Sequence, residues 1–320
     1  MADSTAQPSP ARIGRDPHRL AGAGLDIGGT KVAASLVDGA GAVLHFETRP
    51  MHVRRDTAGV LELADELVVQ MTWAAKTRDL GLAGLGIAVP ELVDRGGHIA
   101  SEAVIPGLMR SDLANRWADV ARGTVESDVR AAAIAEARLG AGRPYGSFCY
   151  VSVGTGISHC FVQEGRPWPG SRGGAILLGS SVMAEFDDGG QRRQWVLEEI
   201  ASGPAMLRRY QRLGGSRATV EEALAASPQE PAAATAIAVA AVALGIGIST
   251  LVNLLDPEAI VVGGGLGSAP GAYWRGAVDS ARAHIYWERA RETPIVQAQL
   301  GGRSAAVGAA LIALRTSGAR

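Results

Sequence analysis

The sequence predicts an α/β fold made of two similar lobes with a ligand held between them. Three observations predict it. Strand-like apolar runs alternate with helically spaced segments through both halves of the chain. A strand–glycine turn–strand unit occurs twice, around Asp26 and around Gly154. The 320 residues include 42 glycines, with 47% hydrophobic but only 5% aromatic residues. That glycine count is too high for a helical bundle and suits tight turns around a ligand. The core must then be Ala, Val, Leu and Ile.

In chain order, Leu25 and Ile27 read as a short buried strand and Val32 to Ala34 as its partner. Ala42 to Thr48 continues as a strand. Asp56 or Thr57 caps a helix with apolar residues at Val60, Leu61, Ala64, Leu67, Val68 and Met71. Gly84 to Val89 is a buried strand stopped by Pro90, and Asp94 to Ile99 a turn and short strand. Thr124 to Ser127 is a strand ending at Asp128, with an Ala-rich helix from Val129 to Leu139. Phe148 to Val153 leads into Gly154-Thr155-Gly156 and out along His159 to Gln163. Glu164 to Gly190 looks irregular. Trp195 to Ala201 reads as a helix start, broken at Ser202-Gly203-Pro204. Thr219 and Glu222 have capping-box spacing. Ala232 to Leu255 is a long helix, Ala259 to Val262 a strand, and Ser304 to Leu314 a last helix. The expected lobes are residues 21–128, with helix 304–315 packing back on them, and residues 129–303. Residues 1–20, rich in Ser, Pro, Ala and Arg, are expected to be a disordered tail.

Net charge is −1, so no basic field draws nucleic acid. Cys149 and Cys160 sit in apolar runs and read as buried thiols of a reducing compartment. No apolar run reaches transmembrane length, and no signal-peptide core is visible. A cytoplasmic protein without membrane or nucleic-acid partners is expected.

The glycine turns carry the chemistry. Gly28, Gly29 and Thr30 let the backbone come close to a ligand and turn amides toward one point, an anion cradle. Lys31 and Thr30 are placed to touch a phosphate, and Asp26 to hold a metal through water. Asp26-Ile27-Gly28-Gly29-Thr30-Lys31 resembles the first phosphate loop of the actin-like ATPase and sugar kinase superfamily (ribonuclease H-like lobes), most closely the ROK family. Gly154-Thr155-Gly156-Ile157 resembles that family's second phosphate loop. Gly263-Gly264-Gly265, after Val261-Val262, resembles its adenosine segment. A dinucleotide-fold reading of the triple glycine fails, because position 268 is Ser and the loop lies late in the chain. The resemblance covers about Gly24 to Leu314 and implies ATP with Mg²⁺ in a cleft between the lobes. Asp128, at a strand end before an Ala-rich helix, matches the family's catalytic aspartate and is the expected base.

The sugar side departs from the pattern. Ser127 and Arg130 replace asparagines that flank the aspartate. Leu177 and Ser180 stand where the family has a sugar-binding Glu and a His. The zinc cysteines fall on Gly189, Gln191 and Val196, so no structural zinc is expected. Leu197-Glu198 and Ala201-Ser202-Gly203 keep the end of the motif, and Glu198 is the retained sugar carboxylate. Val104 replaces the usual Asn before Pro106-Gly107, with Glu102 nearby. Each lost bond to a charged group is worth about 1.5–3 kcal/mol, which disfavours glucose.

The resemblance therefore implies an ATP-dependent kinase for the exocyclic primary hydroxyl of a modified hexose. An aminohexose of the kanosamine type in natural-product biosynthesis is the expected substrate, with a C7-cyclitol of the valiolone type as the alternative. A non-catalytic sugar sensor is a further alternative. A DNA-binding repressor is disfavoured, since only 23 residues precede Gly24 and they are Pro-containing. A homodimer is compatible with the reading.

Overall fold

The computed structural model describes residues 20–51 and 56–316, the side chain of Glu185 apart. The first elements are β1 (Leu20–Ile27), β2 (Lys31–Asp38), β3 (Val43–Pro50), α1 (Thr57–Lys76), β4 (Gly81–Val89), α2 (Leu113–Arg116), β5 (Gly123–Ser127) and α3 (Asp128–Leu139). There follow β6 (Ser147–Val153), β7 (Ile157–Gln163), β8 (Arg166–Pro167), β9 (Val182–Phe186), β10 (Arg192–Val196), α4 (Glu198–Ala201) and α5 (Gly203–Arg212). The chain ends with α6 (Val220–Ala226), α7 (Pro231–Leu255), β11 (Ala259–Gly263), α8 (Ala272–His284), β12 (Ile295–Gln297) and α9 (Ser304–Thr316).

Two five-stranded sheets share one plan. The first runs β3-β2-β1-β4-β5 and the second, read from its β8 edge, β8-β7-β6-β11-β12. In each, the hairpin strands pair antiparallel and the remaining ones parallel. The repeated strand–glycine turn–strand unit is thus the start of two like sheets. Alternation sorts the side chains. Ala21, Ala23, Leu25 and Ile27 of β1 pack with Val60, Ala64, Leu67 and Met71 of α1. In β6, Cys149, Val151 and Val153 join the α7 side, while Phe148 and Tyr150 join Val129, Ala132 and Ala133 of α3.

Between the sheets lie α3 and α9, and the seating of α9 is unusually close. A Cβ on Gly22 would stand 2.1 Å from the Ala310 carbonyl oxygen, one on Gly24 2.1 Å from that of Ala306, and one on Gly86 1.9 Å from that of Ala309. On its other side, a Cβ on Gly308 would stand 1.7 Å from the Ala131 carbonyl oxygen of α3. The helix backbone therefore rests on strand backbone. Glu136 of α3, fully buried, ties the same region: its carboxylate accepts from the amides of Ala141, Gln299 and Leu300 and from the Ser304 hydroxyl, at 2.9–3.1 Å.

Several local readings need correction. Leu20 opens β1 and pairs with Gly81; the rest of the expected tail lies outside the described residues. Trp195 and Val196 belong to β10, which pairs with β9 inside the stretch expected to be irregular or helical. The expected break does fall at Ser202, which is extended between α4 and α5; its hydroxyl caps α5, with proline in the first turn where no amide is needed. In the turn between β9 and β10 the Asp187 carboxylate accepts from the Gln191 amide at 2.7 Å. An apolar run of transmembrane length does exist. It is the 25-residue α7, whose most apolar window is 67% buried against the second sheet and α8, the environment of a core helix. The Thr219–Glu222 capping box is formed.

Gly86→Ala should lower unfolding stability by about 2–3 kcal/mol, because the new methyl collides with helix backbone that cannot rotate away. Urea unfolding of the purified variant checks this; a wild-type midpoint would mean that α9 shifts freely.

Candidate active site

The carboxyl ends of the parallel strands of both sheets face one cleft, the usual ligand position in open α/β sheets. β1 brings Asp26 and Gly28, β4 brings Pro90 and Glu91, and β5 brings Asp128. β6 brings Ser152 and Gly154, and β11 brings Gly264 and Gly265. The larger part of the cleft, about 410 Å³, is lined by Gly28, Gly29, Glu91, Asp128, Gly154 to Ser158, Leu177, Ser180 and Glu198, among others. A smaller part, about 170 Å³, is lined by Asp26, Lys31, Tyr150, Gly264, Gly265 and Gly302. Asp128 and Ser152 line both.

The three glycine loops are built to meet. The Gly28 amide donates to the Lys31 carbonyl at 3.0 Å, and the Gly154 amide to that of Gly156 at 2.9 Å. The Val153 carbonyl accepts from the amides of both Leu266 and Gly267 at 3.0 Å, locking the third loop onto the second. Gly264 has φ +80°, and a Cβ there would lie 2.4 Å from the Val153 carbonyl oxygen. Beyond this contact the loops leave open space: a Cβ on Gly265 would meet nothing within 4 Å. Lys31 extends beside it, its Nζ 3.5 Å from the Gly302 carbonyl. A cation and turned amides around an open volume fit a nucleotide's phosphates. Thr30 and Gly263 do not line either part of the cleft.

Asp128 opens α3, and its carboxylate accepts from the Val129 amide at 2.6 Å. Burial pushes its pKa to about 6, against that amide bond, with the Glu91 charge adding to the rise. Asp26 is pushed to about 7 by burial and then by Asp128, with Lys31 opposing. Asp128 thus ionises first and its charge holds Asp26 higher. Both acids bind more protons folded than unfolded between the ordinary aspartate value of 3.8 and these values, so they lower stability as pH rises through that window.

Glu198 reaches the second loop, accepting from the Ile157 amide at 2.6 Å. The other sequence-expected sugar residues stand elsewhere. Ser127 is fully buried with its hydroxyl unpaired, and Glu102, Pro106 and Gly107 lie outside the cleft lining. The Pro106 carbonyl instead accepts from the Thr57 hydroxyl at 2.5 Å.

Two side chains that sequence reasoning left without a role shape this end. Glu91, 2% exposed, accepts from the Ser101 hydroxyl and from the amides of Ala103, Val104 and Ile105, at 2.5–2.8 Å. Burial raises its pKa, but those four bonds outweigh it and hold it below its ordinary value. Arg130, also 2% exposed, donates to Glu126 at 2.6 Å and to the Gly173 and Val93 carbonyls at 2.7 Å each, pinning two loops together. The position of Glu91, one residue past the proline that ends a parallel strand, was the available signal.

The ROK family model matches residues 22–316. The chain belongs to the ROK family. It is 29% identical to a kanosamine kinase of Amycolatopsis mediterranei, over 93% of this chain and 96% of the relative. The ROK hexokinase structure from Thermus thermophilus superposes with TM-score 0.75 at 29% identity, covering 92% of this chain and 98% of the other. A ROK glucokinase from Streptomyces griseus, in complex with glucose and AMPPNP, gives TM-score 0.76 at 26% identity, covering 92% and 99%. The two-lobed actin-like fold expected from the glycine loops is therefore the fold of this ROK protein. Among its described residues no cluster of three or more His, Cys, Asp or Glu is arranged to hold a metal.

Asp128→Asn should reduce kcat by about 10²–10⁴ while leaving nucleotide affinity and Tm near wild type. In the wild type, kcat/KM should fall as pH drops below about 6, as Asp128 takes up its proton; a flat profile to pH 5 would place the base elsewhere. A chelator should leave Tm unchanged, and elemental analysis should find no stoichiometric zinc.

Proposed function

We propose that this ATP-dependent sugar kinase phosphorylates the primary hydroxyl of an aminohexose. Sugar kinase activity follows from the family; the substrate rests on the cleft wall. Glu91, Asp128 and Glu198 line its larger part, and among the described residues no Lys, Arg or His does. Three carboxylates without a cation favour a positively charged ligand over a neutral one. Leu177 and Ser180 on the same wall offer a ring one apolar contact and one short hydroxyl. The similarity to a kanosamine kinase agrees with this choice.

In this reading Asp128 accepts the proton of the attacking hydroxyl, and Glu198 faces the amine or a ring hydroxyl. Glu91 fixes the loop from Ser101 to Ile105 that forms the cleft's rim. The amides of Gly28, Gly29 and Gly154 to Gly156, with Lys31, hold the phosphates; Gly264 and Gly265 allow close approach of the nucleoside. ATP supplies the phosphoryl group, with Mg²⁺ neutralising its charge, and Asp26 is placed to reach the metal through water.

Steady-state kinetics with kanosamine, glucosamine, glucose and a C7-cyclitol test the reading. The best aminohexose should exceed glucose by at least about tenfold in kcat/KM, and Glu198→Gln should shrink that margin. Equal values for all four acceptors, or a cyclitol as the best of them, would overturn it.

A further inference from the structure

The far ends of the two sheets, away from the cleft, enclose a second hollow. β2 runs from Lys31 in the cleft to Asp38, and β7 from Ile157 in the cleft to Gln163, so the turns after them lie at the opposite pole. Arg138, ten residues along α3 from Asp128, stands about 15 Å from it at 1.5 Å per residue. These turns meet the last turns of α3 and α9 around a hollow of about 610 Å³. It is lined by Gly39, Gly41, Glu164, Gly165, Leu311 and Leu314 together with Arg138, Arg166 and Arg315.

Three guanidinium groups thus share one concavity with a single carboxylate, and none of the three makes an ion pair or side-chain hydrogen bond among the described residues. Like charges brought together without partners repel. Partial burial, and then the charges of Arg138 and Arg166, hold the Arg315 guanidinium below its ordinary pKa. A cation in the last turn of a helix is ordinarily explained by the helix dipole. That covers Arg138 and Arg315 but not Arg166, which projects from β8 on the other sheet into the same space. Planar guanidinium forks from three separate elements match the oxygens of a phosphate group.

We infer that this hollow is a second anion site, remote from catalysis, that takes a small phosphate-bearing molecule. It is assembled from both sheets and both central helices, so its ligand touches the two halves of the fold at once. The proposal is independent of which sugar the cleft accepts.

The test uses full-length enzyme saturated with AMPPNP and Mg²⁺, which fills the catalytic phosphate loops. Inorganic phosphate, pyrophosphate and glucose 6-phosphate are titrated calorimetrically at constant ionic strength set with chloride. One equivalent should bind. Arg138→Gln and Arg166→Gln should each weaken it at least fivefold, with Tm and with kcat measured free of added anion both unchanged. Tighter binding of glucose 6-phosphate than of phosphate identifies a phosphorylated metabolite as the source; equal binding identifies the inorganic ion. No binding of any of the three to nucleotide-filled enzyme, or the same affinity in both variants, would overturn the proposal.

Discussion

The contact on which the molecule depends is backbone against backbone. Helix α9 lies on strands β1 and β4 at a distance that leaves no room for a Cβ at Gly22, Gly24 or Gly86, and Gly308 gives α3 the same access from the other side. Two helices of ordinary side-chain size could not share that layer. Their closeness sets the separation of the sheets, and the sheet separation sets the width of the cleft. It also fixes the start of each helix at the cleft wall, Asp128 for α3 and Ser304 for α9. The buried Glu136 carboxylate of α3 bonds the Ser304 hydroxyl at the start of α9, the Gln299 and Leu300 amides ahead of it and the Ala141 amide past α3, so the start of α9 is tied to α3.

Upon this frame the cleft gathers carboxylates at some expense in stability. Asp26, Glu91 and Asp128 stand at the ends of three neighbouring parallel strands, and two of them are pushed well above the ordinary carboxylate range by burial. The third escapes that fate because a hydroxyl and three amides surround it. The difference assigns roles: a carboxylate whose bonds are saturated shapes a loop, and one with an unfilled oxygen is free for a proton. Arg130 belongs with the first kind. It stands where relatives are expected to have an asparagine, and spends its donors on Gly173, Val93 and Glu126 rather than on a ligand.

Much of this was legible in the chain. The glycine turns at Gly28, Gly154 and Gly264 announced themselves as repeated breaks after apolar runs, and their order pointed to the family; at Gly264 the structure leaves no room for a Cβ. Apolar spacing gave α1, α3 and α9 within a few residues. What was not legible depended on distant partners. The β9–β10 hairpin forms in a stretch of mixed polarity whose pairing is set by one Asp187 turn. Ser127, Glu102, Pro106 and Gly107 carry motif-like neighbours, yet their directions are fixed by tertiary contacts, such as the Thr57 hydroxyl on the Pro106 carbonyl. Helix α7 has the hydropathy of a membrane span, and only the packing of α8 and the second sheet explains it.

The seat of α9 has a consequence for biosynthesis. The groove along β1 and β4 is made near the beginning of the chain and filled by a segment made near the end of it. Translation at about 5–20 residues per second separates the two by tens of seconds. Through that interval the first sheet has its α1 face covered and its glycine face bare. Those glycines present backbone and little apolar side chain to water, so the waiting surface is less sticky than a leucine-lined groove of equal area. The same residues that admit the helix so closely therefore also protect the nascent sheet until its last layer arrives.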